Sequence, residues 1–97
     1  MGSEVKWTPQ AEKGLENVLS YLDSNWSAKE ILNLKNKIQR AIELIKINPE
    51  IFPKSKIKSN LHKAVIDKNN YLIYRLNTAK NSVEIINFRG AKQRPKY

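Results

Sequence analysis

The residues able to do chemistry are cations and phenols gathered in the second half of the chain: Lys63, Tyr71, Arg75, Arg89, Lys92, Arg94, Lys96 and Tyr97. Lysine and arginine hold phosphates and stabilise the charge of a phosphoryl transition state, while tyrosine stacks on bases or transfers a proton. Such a set is either a binding surface or an active site. Lys54, Lys56 and Lys58 add a second cationic stretch, which reads equally as a solvated loop or as the rim of an anion site.

Other chemistries find no footing. Metal-free hydrolysis of the histidine type needs an acid and a base that both titrate near neutrality, and His62 is the one histidine. It reads as an ordinary residue on an early or edge strand. No serine lies in a nucleophile-elbow pattern, and Gly2, Gly14 and Gly90 are too scattered for a phosphate loop or a dinucleotide fingerprint. Without cysteine there is no disulfide framework and no thiolate zinc site, and the histidine and carboxylates show no metal-ligand spacing. Neither a metal nor another cofactor is expected.

Charge sharpens the choice of partner. Residues 1–53 hold 7 Lys/Arg and 7 Asp/Glu, so the formal net charge of +9 resides entirely in residues 54–97. A polyanionic partner is expected, either nucleic acid or an acidic protein segment. Ninety-seven residues, 40% hydrophobic and 28% charged, predict one folded domain over 1–97. Met1-Gly2-Ser3 lacks the apolar core of a signal peptide and no apolar run is long enough for a membrane helix, so a cytoplasmic address and no membrane partner are expected.

The elements that must position these cations follow from periodicity. Glu4–Thr8 alternates, placing Val5 and Trp7 on one face of a short strand, and Thr8-Pro9 suits a helix start. Ala11, Leu15, Val18, Leu19 and Leu22 form a helical stripe, which Gly14 weakens without breaking. Ser27 and Glu30 have capping-box spacing, and Ile31, Leu34, Ile38, Ala41, Ile42 and Ile45 carry a second helix to Asn48-Pro49. Residues 49–60 read as an exposed connector. Leu61–Ile66, Tyr71–Leu76 and Ser82–Phe88 then read as three strands joined by tight turns, an antiparallel meander. Tyr71 and Tyr74, three apart on one strand, belong on opposite faces, with at least one in the core. The predicted fold is α+β, in the order β-α-α-β-β-β: a helical hairpin on a small twisted antiparallel sheet. That leaves the Arg89–Tyr97 tail as the better functional stretch.

This order resembles the RelE/ParE superfamily of bacterial type II toxins. The resemblance is carried by Val5-Lys6-Trp7-Thr8-Pro9-Gln10-Ala11, Tyr21-Leu22 before Asn25-Trp26, and Asn48-Pro49-Glu50. It continues through Leu61–Ile66, Tyr71-Leu72-Ile73-Tyr74-Arg75 and the closing Arg89–Pro95 segment. It implies a toxin neutralised by a cognate antitoxin whose acidic or amphipathic segment covers the basic surface, with oligomers formed through that antitoxin. The expected contacts are a sheet edge, by strand addition, and acidic side chains on the tail and on Lys54, Lys56 and Lys58.

The superfamily divides between RelE-type members, which cut mRNA in the ribosome without metal, and ParE-type members, which poison DNA gyrase. Lys63 and Tyr97 match the RelE-type lysine and tyrosine; with Arg94 they would be the catalytic set of an mRNA interferase. Val65 stands where a second lysine is expected, Tyr71 where a strand arginine is, and Ala91 where a tail arginine is. A charge-held cleavage site tolerates displacements of only about 0.5 Å. The long hairpin and arginine-bearing tail resemble ParE-type members better. The leading expectation is therefore a gyrase or topoisomerase inhibitor without chemistry of its own, binding target or antitoxin through Lys54, Lys56, Lys58, Lys63, Arg75, Arg89, Lys92, Arg94, Lys96 and Tyr97. The alternatives are the mRNA endonuclease and a non-toxic basic binding module.

Overall fold

A computed structural model describes residues 4–25, 27–55, 60–68 and 70–90. In chain order the elements are β1 (Glu4–Trp7), α1 (Pro9–Asn25), α2 (Ala28–Ile47), β2 (His62–Asp67), β3 (Asn70–Asn77), a 3-10 turn (Thr78–Lys80) and β4 (Ser82–Gly90). The α+β architecture matches the sequence expectation. One feature of the sheet does not: the strand order is β1-β4-β3-β2, and β1 runs parallel to β4, so the sheet is mixed. Only β2–β3–β4 forms the antiparallel meander. Parallel neighbours need a long crossover, and here the two helices and two strands between them supply it. The alternation of β1 suits either direction, so its sequence is silent on this point.

Thr8 joins the first strand, the first helix and the last strand. Its hydroxyl accepts the Ala11 amide at 3.2 Å, capping α1, and donates to the Ile85 carbonyl at 2.8 Å; its own amide donates to the same carbonyl at 3.1 Å. One turn on, α1 lies so close to β4 that a Cβ on Gly14 would sit 2.4 Å from the Phe88 carbonyl oxygen and 3.0 Å from Asn87 Oδ1. The glycine that weakens the helix locally is what admits the strand.

The capping box of α2 forms as expected: Ser27 Oγ accepts from the Glu30 amide and Glu30 Oε1 accepts from the Ser27 amide, both at 3.3 Å. From there Leu34, Ile38, Ile42 and Ile45 join Ala11 of α1 and Ala64, Leu72, Tyr74, Val83, Ile85 and Phe88 of the sheet in one core, and Ala41 is buried as well. A leucine or isoleucine truncated to alanine at such a site costs about 2–5 kcal/mol.

The connector after α2 is stitched down rather than loose. Pro49 O accepts the Tyr74 hydroxyl at 2.7 Å, and Phe52 O lies 2.8 Å from His62 Nδ1, which must carry the proton to donate. The His62 ring stacks on Tyr74 at 4.9 Å and Phe52 meets the same phenol edge-on at 6.4 Å. Beyond it, Ser55 N donates to Leu61 O at 2.7 Å and Lys63 N to Pro53 O at 2.9 Å. The exposed connector of the sequence reading is thus corrected at Pro53–Ser55, which adds an isolated antiparallel bridge, Lys54 to His62, to the edge of β2 and buries Ser55. Burial pushes the Tyr74 phenol up to about 12; the Glu50 carboxylate adds to this, and a backbone hydrogen bond from Phe52 works the other way.

Candidate functional site

The candidate site is the sheet face turned away from the helices. In β2 and β3 the residues 64, 72 and 74 enter the main core, so 63, 65, 71, 73 and 75 face the other way. Across the strands, Val65 pairs with Tyr71 and Tyr71 with Arg89, while Lys63 pairs with Ile73 one row on. Lys63 Nζ lies 4.4 Å from the centroid of the Tyr71 ring, a cation–π contact. Tyr71 and Ile73, with Leu61 and the half-buried Ile86, make a small second core on this face. Val65 stands 60% exposed beside it. The two tyrosines therefore lie on opposite faces, as expected, and both are buried.

At the far end of the face the character changes. Arg75 donates to Glu84 Oε1 from Nη2 at 2.7 Å and from Nε at 3.0 Å, and Lys6 of β1 stands opposite Glu84 in the parallel register. A row of alternating charge thus crosses three strands, Lys6–Glu84–Arg75. It owes its alignment to a register shift between Ile73 and Tyr74: Ile73 faces Asn87 but Tyr74 faces Ile85, so Ile86 is the extra residue. Without that bulge Arg75 would face Ile85 instead of Glu84.

The sequence-derived candidates therefore separate. Lys63 and Arg89 come together around Tyr71; Arg75 is committed to Glu84; Lys54 stands opposite His62 on the β2 edge. His62 is the edge-strand residue expected, held by the connector and by Tyr74. Lys56, Lys58, Ala91, Lys92, Arg94, Lys96 and Tyr97 lie outside the described residues. Sequence reasoning missed the apolar filling of this face by Leu61, Ile73 and Ile86. The doublet Ile85-Ile86, which cannot put both side chains on one side of a regular strand, was its signal.

Chemically, the face combines the Lys63–Tyr71 cation–π pair, Arg89 across from Tyr71 and an exposed valine over a buried apolar cluster. Among the described residues no cluster of His, Asp and Glu could hold a metal ion, and no helix is long and apolar enough to cross a membrane. An open groove of about 460 Å³ runs elsewhere, lined by Trp7, Leu15, Leu19 and Ile31 with Glu12, Glu16 and Lys35 at its rim.

Comparisons with known proteins agree with this architecture. The chain superposes on the toxin–antitoxin complex RelBE2 of Mycobacterium tuberculosis with a TM-score of 0.64 and 14% identity, covering 93% of this chain and 99% of that one. Against a mutant of Escherichia coli RelE in the free state the TM-score is 0.66 at 14% identity, over 95% and 86% of the two chains. Against the YoeB dimer of Staphylococcus aureus it is 0.62 at 19% identity, over 92% and 97%. At these identities the likeness is one of fold. No curated protein matches the sequence. The sequence model of the ParE toxin of type II toxin-antitoxin systems matches residues 5–95, nearly the whole chain, and the chain therefore belongs to that toxin family.

Proposed function

We propose that this toxin acts by binding, as a ParE-like inhibitor of DNA gyrase or a related topoisomerase, and that a cognate antitoxin with an acidic or amphipathic segment neutralises it. The observation that carries this reading is the make-up of the outward sheet face. Between Lys63 and Arg89 stand an exposed valine and a buried tyrosine, where metal-free cleavage of RNA requires several convergent charged donors. An exposed valine beside cations, over a buried apolar cluster, suits contact with a protein better than cleavage of RNA. The match of the ParE family model over residues 5–95 supports the same side. Antitoxin strand addition is best served by β1, whose outer edge is unpaired among the described residues, because Pro53–Ser55 already occupy part of the β2 edge.

A supercoiling assay with purified protein tests the proposal: relaxed plasmid is expected to stay relaxed at micromolar excess of toxin over gyrase. Normal supercoiling there would remove it. The second reading, a ribosome-dependent mRNA endonuclease using Lys63, Arg94 and Tyr97, is favoured by the contact of Lys63 with Tyr71 beside Arg89 and by the likeness to RelE and YoeB in fold. Codon-phased cuts in primer extension of mRNA from expressing cells would establish it in place of the first.

A further inference from the structure

β1 is an edge strand, and the side of its backbone away from β4 is unpaired among the described residues. Which groups line that free side follows from one bond. The Thr8 amide donates to the Ile85 carbonyl, so by alternation the backbone polar groups of Lys6 and Glu4 also turn toward β4, and those of Val5 and Trp7 turn to the free side. The side chains alternate too: Glu4 and Lys6 stand exposed on the outward face of the sheet, while Val5 and Trp7 pack against the core on the other. The edge thus presents a donor and an acceptor at Val5, with a carboxylate before it and an ammonium after it. That pattern is complementary to itself. Laid antiparallel about a twofold axis at Val5, a second β1 sets Val5 opposite Val5 with two amide-to-carbonyl bonds. Glu4 and Lys6 of one copy then face Lys6 and Glu4 of the other, at the non-hydrogen-bonded positions where side chains come closest. A slip of two residues, the smallest that keeps the free-side groups paired, sets Lys6 against Lys6 in one direction and Glu4 against Glu4 in the other. Charge therefore selects one register.

We propose that the free chain pairs with a second copy of itself through the two β1 edges, joining two four-stranded sheets into one of eight strands with a continuous outward face. The neighbouring strands agree with this occupant. The row Arg75–Glu84–Lys6 ends at the sheet edge on a cation, and in the pairing its next member is Glu4 of the second copy. Within one chain Lys6 Nζ lies 3.9 Å from Glu4 Oε1 and both side chains are more than half exposed, so each can turn to a partner. The +9 surplus does not belong to this edge: residues 1–53 hold 7 Lys/Arg and 7 Asp/Glu. A twofold contact of this kind closes at two copies, and the opposite edge, at β2, is partly taken by Pro53–Ser55. The inference stands on the chain alone. An antitoxin strand added at β1 would take the same edge, so dimer and complex exclude each other.

The test is sedimentation equilibrium of the purified full chain from about 10 to 500 µM, because a contact of one short strand pair lies at the weak end of interfaces. A monomer–dimer equilibrium is expected. Glu4→Lys alone and Lys6→Glu alone each turn both cross-strand pairs into like charges and are expected to weaken association about tenfold or more. Mixed in equal amounts, the two variants again place opposite charges at both pairs and are expected to regain the dimer as a heterodimer. Misfolded variants could not do so, which separates pairing from folding. Lys68→Glu, the same charge change in the turn between β2 and β3, should self-associate as the unaltered chain does. An unaltered chain that stays monomeric at the top of that range overturns the proposal and leaves the edge to an antitoxin strand alone. Single variants that dimerise as well as the unaltered chain overturn it too, as does a mixture that remains monomeric.

Discussion

The two faces of the sheet are built from the same strands and answer to different demands. On the helix side Leu72, Tyr74, Val83, Ile85 and Phe88 meet a full layer of side chains from α1 and α2, and each is essentially without solvent contact. On the other side the apolar content shrinks to Leu61, Tyr71, Ile73 and Ile86, bordered by Lys63, Arg89 and the Lys6–Glu84–Arg75 row. One face is specified by packing against two helices, the other by a smaller buried cluster with cations and an exposed valine at its border. Changes on the first should therefore be read in stability, and changes at the exposed positions of the second in target binding.

The strongest test of that division is Gly14→Val, because the new side chain would begin 2.4 Å from a backbone carbonyl that cannot move without shifting β4. Urea unfolding should show a loss of about 3 kcal/mol or more, the upper range for overpacking; a loss under 1 kcal/mol would mean that α1 does not sit as closely as described. Next comes Tyr74, whose phenol is held neutral by burial, up to about 12 against 10.0 in the unfolded chain. The unfolded state ionises first as pH rises, so this contribution is complete below pH 10 and is lost as pH climbs toward and through 12. It amounts to about 2–3 kcal/mol. Tyr74→Phe should cost about 1 kcal/mol at neutral pH through the lost bond to Pro49 and should flatten the alkaline decline. A variant with the same alkaline slope as the unaltered chain would point to another titrating group.

At the exposed Val65 of the outward face the expected pattern inverts. Val65→Asp should change stability by no more than about 0.5 kcal/mol, the usual range for an exposed site, yet weaken inhibition of supercoiling about tenfold. Equal inhibition would move the target contact off this face. The smallest effect is expected for the Arg75–Glu84 pair, in a double-mutant cycle with Arg75→Ala and Glu84→Ala: a coupling of about 0.5–1 kcal/mol, reduced by salt.

The parts of the fold that were legible in the sequence are those whose physics is local. Ser27 and Glu30 announce a helix start because each completes the other's hydrogen bonds within one turn. The stripe from Leu34 to Ile45 and the opposite faces of Tyr71 and Tyr74 follow from period alone. What was hidden depends on partners far along the chain. Gly14 looks like a helix defect until Phe88 is beside it. Pro53–Ser55 looks like loop until Leu61 and Lys63 bond to it. At the candidate site, Lys63 and Arg89 could be nominated by type, but Arg75 could not be withdrawn, since its pairing with Glu84 depends on a one-residue bulge that no periodicity displays.

The parallel pairing of β1 with β4 has a temporal side. Residues 4–7 find their strand partner only at residues 82–85, and the Thr8 cap of α1 is fastened to Ile85, 77 positions later. During synthesis the helical hairpin can nucleate early, but the sheet can be closed only once β4 has left the ribosome. A nascent chain stalled before Ser82 carries the cations of β2 and β3 without the face that arranges them. That order of assembly keeps the outward sheet face incomplete until translation of the last strand is finished.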